Sequence, residues 1–448
     1  MNGSARRDAL AVALLAAAVR IPLVVYAAGR FPPVDDGGFY QVVATRIARG
    51  EGYTWLWPDG AVTHAAHYPV GYPALLGLAY ALFGSRLGVA MAVNAAFGVL
   101  GALSAWSLAR RSAERRGALL AGALVALSPG LLFYTPALMT EAVAGDLSIA
   151  AAALAARPGR FWPRVLATGS TLGLALLVRP QLVLVAPVIG LVLGWRDSGF
   201  RARASGAVAV TVIAVGLCLP WTLRNCQRLD GCAFVSANGG WNLYIGASPL
   251  GRGGFASLDA IGVPPECRTV FGEAGKDRCF GRAGLRAIAE HPARWIALVP
   301  KKLGMTFDYG TASAHYLSTS NPELVGERGK IAVGALELLG QRLLVLGALF
   351  GAVSAPGPRR RARRIVAIVS AILALTPAGH LGWIGLLGVL ALLGRELLRH
   401  PAALVAFGSV LATAVTHAVF FGASRYALVC LPALAALAGT LRPARAPA

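Results

Sequence analysis

Apolar residues run in blocks from one end of the chain to the other, interrupted by short arginine-bearing segments and by two long polar stretches. The blocks are ~15–24 residues long, and about 20 apolar residues let a helix cross the hydrocarbon core of a bilayer. They predict about twelve membrane-spanning helices, with cores at 9–28, 86–108, 118–136, 142–156, 165–178, 181–195, 205–221, 331–354, 365–377, 380–394, 402–420 and 426–441. The first block could be mistaken for a signal peptide, but it lacks a convincing small-residue cleavage site and further spans follow, so it reads as a retained first span. The expected architecture is all-α and polytopic, one transmembrane domain over 1–448.

Arginines orient the bundle. With Arg6 and Arg7 in the cytoplasm, the arginine-bearing segments 110–116, 157–164, 196–203, 359–364 and 395–401 all fall on the same side, as the positive-inside rule requires. The apolar stretch 69–84 would invert that order if it crossed fully, so it reads as a re-entrant or interfacial segment. Both chain ends are then cytoplasmic, and 29–68 and 222–330 are external loops carrying interfacial helices. Phe39, Val43 and Ile47 share one helical face while Gln41, Arg46 and Arg49 lie elsewhere, as in a helix resting on a membrane surface. In the second loop Trp295, Ile296, Leu298 and Val299, followed by Lys301 and Lys302, suit the headgroup zone.

Composition narrows the function. Of 448 residues 56% are hydrophobic and 14% charged, against about a quarter charged in soluble domains, and the mean hydropathy is +0.62. A water-soluble globular enzyme is thereby excluded. The net charge of +22 would suggest nucleic acid in a soluble chain, but here the arginines sit between apolar blocks, and no nucleic-acid partner is expected. Cys226, Cys232, Cys267 and Cys279 fall in the second external loop. Pairing Cys226 with Cys232 and Cys267 with Cys279 gives the shortest closures, with free thiols as the alternative.

Ionisable residues at a membrane edge are costly and mark candidate sites. Five segments bring such residues to the external face: the first loop with Asp35, Asp36, His64 and His67; Glu141; Arg179; Arg224; and Arg425. Asp35-Asp36 follows Pro32-Pro33 and precedes Gly37-Gly38, so a turn delivers two carboxylates just before a helix. One of them as general base is the functional reading; a helix N-cap is the alternative. Glu141 starts a returning helix, where it complements the dipole, or else orients an acceptor or supports a metal ion. Arg179 precedes Pro180 at a break in a long apolar run, a place suited to binding phosphate. Arg224 and Arg425 offer the same chemistry, with snorkelling as the alternative for each. His64 and His67, three apart, would share a helical face; without a third ligand, contact with phosphate is favoured over metal. No Walker loop, dinucleotide fingerprint, H-E-x-x-H or G-x-S-x-G occurs.

Several motifs then occur in order: Asp36-Gly37-Gly38-Phe39-Tyr40, Gly50-Glu51-Gly52-Tyr53, and His67-Tyr68-Pro69-Val70-Gly71-Tyr72-Pro73 with Phe83-Gly84. Ser128-Pro129, Glu141, Arg179-Pro180, Pro220-Trp221-Thr222-Leu223-Arg224-Asn225, Asn238 to Gly246 and Arg425-Tyr426 with Pro432 follow. The ordered set resembles the GT-C class of polytopic glycosyltransferases, which includes protein O-mannosyltransferases and the aminoarabinose transferases of lipid A. That resemblance implies a GT-C type bundle with Asp36 as the catalytic carboxylate, Glu141 as the second external acid, and Asp35 as a further catalytic candidate. It also implies a donor phosphate held by Arg179, Arg224, Arg425 and His67, and substrate loops carrying Tyr40, Tyr68, Tyr72, Asn238, Asn242 and Tyr244. One departure is that Gly37 stands where many relatives have a second acid.

The expected activity is transfer of a sugar from a polyprenyl-phosphate donor to a lipid, glycan or protein acceptor of the envelope. It would occur at the external face of a bacterial cytoplasmic membrane, with inversion and with Asp36 as base. The partners are that donor, the acceptor and membrane lipids. No cofactor is assigned, and a divalent metal has no ligand spacing to support it. The alternatives are a lipid or glycan transporter, against which no internal repeat is visible, and an O-antigen-ligase-like enzyme using a lipid diphosphate.

Overall fold

A computed structural model describes residues 3–196 and 199–441. Those residues are helical apart from loops and one antiparallel hairpin, Thr54–Leu56 with Val62–His64, in which Thr54 faces His64. Among the described residues seven helices are long and apolar enough to cross a membrane: Gly3–Ala27, Leu87–Ala109, Phe161–Val178, Phe200–Arg228, Glu327–Ser354, Pro401–Val419 and Ser424–Leu441. The chain is thus a multi-pass, all-α membrane protein.

The other five expected spans are shorter or broken. The block at 118–136 splits into Arg115–Leu127 and Pro129–Phe133, because proline lacks an N–H and disfavours helix in the residue before it. The block at 181–195 becomes a 3-10 turn, Pro180–Leu184, and a short helix, Ala186–Val192. Glu141–Ala155, Arg360–Ala374 and His380–Ala391 are single helices of 15, 15 and 12 residues. Gly71–Phe83, with 13 residues, is about 20 Å long at 1.5 Å per residue, too short for a core of ~30 Å.

The bundle core is alanine-rich, and its buried cations serve the backbone. Arg20 in the first span donates to Ala126 O at 2.9 Å and Val125 O at 3.3 Å. Arg363 donates to Ala352 O and Ala355 O, both at 2.9 Å. Each guanidinium satisfies carbonyls that a helix end leaves unpaired.

The two long loops differ from the sequence expectation in two places. The apolar face of Asp36–Ala48 does not rest on lipid: Val43 is fully buried, and Phe39 and Ile47 pack with Tyr53, Ala65, Val70, Trp55 and Trp221. The hairpin and the segment after it fold back over this face, which periodicity along one helix does not reveal. Lys302, expected among headgroups, is fully buried. Its Nζ donates to Ala418 O and Val419 O, both at 3.2 Å, at the end of the Pro401–Val419 span, and lies over the Trp295 ring. In the rest of that loop Gly239–Ala247 packs on Glu273–Glu290. The loop is cross-linked by Cys226–Cys232 and Cys267–Cys279.

Candidate active site

Asp36 is the first residue of its helix rather than the cap, and Asp35, in the cap position, makes no side-chain capping bond. The Asp36 carboxylate is therefore free for other partners. Tyr68 Oη donates to its Oδ1 at 2.7 Å and Arg425 Nη1 to its Oδ2 at 2.9 Å. Burial pushes the carboxyl pKa up, but the Arg425 charge, the Tyr68 and Arg425 hydrogen bonds and the Arg179 charge outweigh it, and the net direction is down. The group is a carboxylate at neutral pH. It has about four acceptor positions, so it can take a further hydrogen bond beside those from Tyr68 and Arg425.

Arg425 joins Asp36 to a second acid. Its Nε lies 3.4 Å from Glu141 Oε1, and Arg179 Nη1 donates to the same oxygen at 2.7 Å and to Thr140 Oγ1 at 2.8 Å. Tyr134 Oη donates to Glu141 Oε2 at 2.9 Å. The order Asp36, Arg425, Glu141, Arg179 alternates in sign and is neutral in sum, which offsets the desolvation that a lone buried charge would suffer. Both guanidiniums lie over the Tyr426 ring, at 5.2 Å for Arg179 and 5.3 Å for Arg425. His417 stacks on Tyr426 at 3.9 Å.

Two chambers meet at Asp36. One, of about 570 Å³, is lined by polar groups that include His67, Arg179, Gln181, Asn238 and Asn242. The other, of about 1020 Å³, runs along Ile331, Gly334, Ala335 and Leu338 of the Glu327–Ser354 span, with Asp35, His315 and Lys330 also in its wall. Asp36, Tyr68, Arg425, Phe255 and Phe421 line both. His67 in the smaller chamber has its imidazole pKa lowered by burial, against the opposing pull of the Asp36 charge and a hydrogen bond to the Ala237 backbone. It is neutral at pH 7, and its one N–H is engaged by the Ala237 backbone, which leaves the other ring nitrogen as an acceptor.

The structure brings some sequence candidates to the chambers and leaves others outside. Asp36, Tyr40, Tyr68, His67, Arg179, Arg425, Asn238 and Asn242 line the smaller chamber. Asp35 lines only the larger one, with a backbone φ of 51°. Glu141 lines neither; 1% exposed, it lies behind Arg425 and Arg179 and acts through them. Arg224 also lies outside, because its guanidinium donates to Tyr53 O at 2.8 Å and Ala65 O at 2.9 Å, bracing the hairpin segment. Tyr72 is buried beneath the site on Asn94, and Tyr244 bonds Gly262 O in the second long loop. His64 ends a strand instead of sharing a helix face with His67. Gly37 has a steric reason: a Cβ there would collide with the Tyr316 hydroxyl and approach Leu138 O. Among the described residues no group of three or more His, Cys, Asp and Glu is placed to hold a metal.

Sequence reasoning missed Tyr134, Gln181, Trp241 and His417. Tyr134 lies seven residues before Glu141, the only local signal; His417 sits inside an apolar block, and only the packing of its span on Tyr426 reveals it.

Residues 67–223, about a third of the chain, match the family model described as dolichyl-phosphate-mannose-protein mannosyltransferase. Over that segment the chain is similar to this family of polytopic glycosyltransferases, in keeping with its ordered motifs. No curated protein matches the sequence. Among solved structures it is similar to the archaeal oligosaccharyltransferase AglB from Archaeoglobus fulgidus in complex with an inhibitory peptide and a dolichol-phosphate, at 14% identity and a TM-score of 0.48 over 98% of this chain and 50% of that one. The chain thus spans about half the length of that enzyme. It is also similar to ArnT from Cupriavidus metallidurans bound to undecaprenyl phosphate, at 17% identity and a TM-score of 0.39 over 96% of this chain and 76% of that one.

Proposed function

We propose that the protein is an inverting glycosyltransferase that moves a sugar from a polyprenyl-phosphate donor to an envelope acceptor at the external face of a bacterial cytoplasmic membrane. The observation that carries this reading is the Asp36 carboxylate, held ionised by Arg425 and Tyr68 where the two chambers meet. The matched family model describes enzymes of a dolichyl-phosphate-linked sugar, which supports a donor of that class.

In this reading the smaller chamber takes the donor phosphate and sugar, since it holds most of the hydrogen-bond donors. The larger chamber, along a membrane span, admits the acceptor. Asp36 accepts the proton of the acceptor hydroxyl as that oxygen bonds to the anomeric carbon. The bond from that carbon to the phosphate oxygen breaks, and its electron pair leaves on the lipid phosphate. Arg425, at the junction, meets the charge that develops there. Single displacement inverts the centre. Glu141 keeps Arg425 and Arg179 in place as a positioning residue.

The test is transfer in proteoliposomes supplied with labelled polyprenyl-phosphate sugars and a cell-envelope extract. Wild type is expected to consume one donor, and Asp36→Asn to lose at least about 100-fold in rate, the low end for removal of a general base, while it remains folded by thermal melt. An equally active Asp36→Asn protein, or a wild type that consumes no donor, refutes the assignment.

A further inference from the structure

The wall of the smaller chamber contains an aromatic residue that the charge arrangement does not use. Trp241, in the Gly239–Ala247 helix, is part of that lining. Phe280, fully buried, packs against its indole at 4.4 Å, and His67 meets it edge-on at 5.4 Å. Protein rings thus hold the indole on two sides, and the residue is half-buried and still lines the chamber. A short run of contacts leads back to the carboxylate, because His67 meets Tyr68 edge-on at 4.8 Å and Tyr68 bonds Asp36.

The backbone below the indole is fixed with equal care. Asp277 Oδ1 accepts from Trp241 N at 3.1 Å. One turn earlier on the same Glu273–Glu290 helix, Glu273 Oε2 accepts from Ala66 N at 2.5 Å, next to His67. A Cβ at Gly240 would collide with the Asp277 carbonyl, so glycine is what lets this turn lie so close to the helix. Asn238 and Asn242 flank Trp241 in the lining, and Gln181 belongs to the same chamber. An apolar ring face bordered by amide side chains is the chemistry that recognises a pyranose or furanose, whose C–H face is apolar and whose rim is hydroxylated.

We infer that Trp241 is the platform on which the glycosyl ring of the donor stacks, with Asp277 as the positioning residue that holds it. This rests on the glycosyltransferase reading and adds the part of the chamber that tells a glycosylated lipid phosphate from a bare one.

The test compares the affinity of the full-length protein in nanodiscs for undecaprenyl phosphate with its affinity for mannosyl, glucosyl and arabinosyl undecaprenyl phosphates. Trp241→Leu is expected to weaken binding of the preferred glycosylated lipid by about three- to tenfold, the range of one aromatic contact, and to leave undecaprenyl phosphate within twofold. Retained binding of the bare lipid also shows that the variant is folded. Trp241→Phe is expected to keep most of the preference. Asp277→Ala is expected to lose it in part and Asp277→Asn, which retains an acceptor oxygen, to restore it; a merely structural role would lower both affinities together. Equal loss for both lipids, no loss in Trp241→Leu, or a wild type indifferent to the sugar overturns the platform. A wild type that binds none of the lipids overturns the donor reading itself, and the platform with it.

Discussion

Replacing Tyr68 by Phe removes one hydroxyl and tests whether Asp36 is the group whose ionisation governs the reaction. The hydroxyl donates to Asp36 Oδ1 at 2.7 Å, and this bond is among the causes that lower the Asp36 pKa. A hydrogen bond to a charged group contributes about 1.5–3 kcal/mol, and one pKa unit corresponds to about 1.4 kcal/mol. Its loss should therefore raise the Asp36 pKa by about 1–2 units. A base must be deprotonated to act, so activity falls as pH drops through this pKa. In wild type the acidic limb should lie below the ordinary aspartate value of 3.8, and in Tyr68→Phe it should move up by about 1–2 units. Stability has the same sign: a depressed folded-state pKa stabilises above the unfolded value, and that gain disappears as pH falls through the folded value. The assay is kcat/KM for sugar transfer against pH with the same donor for both proteins, so that the donor's own ionisation cancels. A limb that stays in place, or moves to lower pH, refutes Asp36 as the titrating base.

Two further substitutions separate the charged row from its surroundings. Arg179→Met leaves Glu141, 1% exposed, with Tyr134 and a longer contact to Arg425, and should lower stability by about 3 kcal/mol. Adding Glu141→Gln should return part of the loss, and a denaturant melt of the three proteins measures it. Arg224→Ala should leave donor affinity within about twofold, since its guanidinium is engaged by Tyr53 O and Ala65 O and its loss acts on folding, at about 1–3 kcal/mol. A tenfold loss of donor affinity in a stable Arg224→Ala protein would return this arginine to the phosphate site.

The residues that converge at Asp36 come from widely separated parts of the chain: Tyr68 from the first loop, Glu141 and Arg179 from the ends of two interior helices, and Arg425 from the last span. Each was visible in the sequence as an ionisable or hydroxyl group beside an apolar block, because a charge at a membrane edge stands out against its neighbours. Arg224 was equally visible, yet folds onto backbone carbonyls instead. One-dimensional position does not distinguish an arginine that faces a chamber from one that braces a turn. The same limit applies to Tyr72 and Tyr244, which share motifs with chamber residues but point into protein.

Apolar block lengths and the arginines between them determined the class of molecule, a polytopic helical membrane protein, since the cost of leaving backbone or charge unsatisfied in lipid admits few other solutions. The position of an acid just before the first-loop helix was likewise a local feature. Tertiary structure decided the rest. The hairpin covered the Phe39 face of its helix, and Lys302 was drawn inside to cap a span. The pairing of Asp36 with Arg425, and the meeting of two chambers at that pair, are contacts across 389 residues of sequence. They are fixed by which helices pack together, and no local pattern of polarity carries that information.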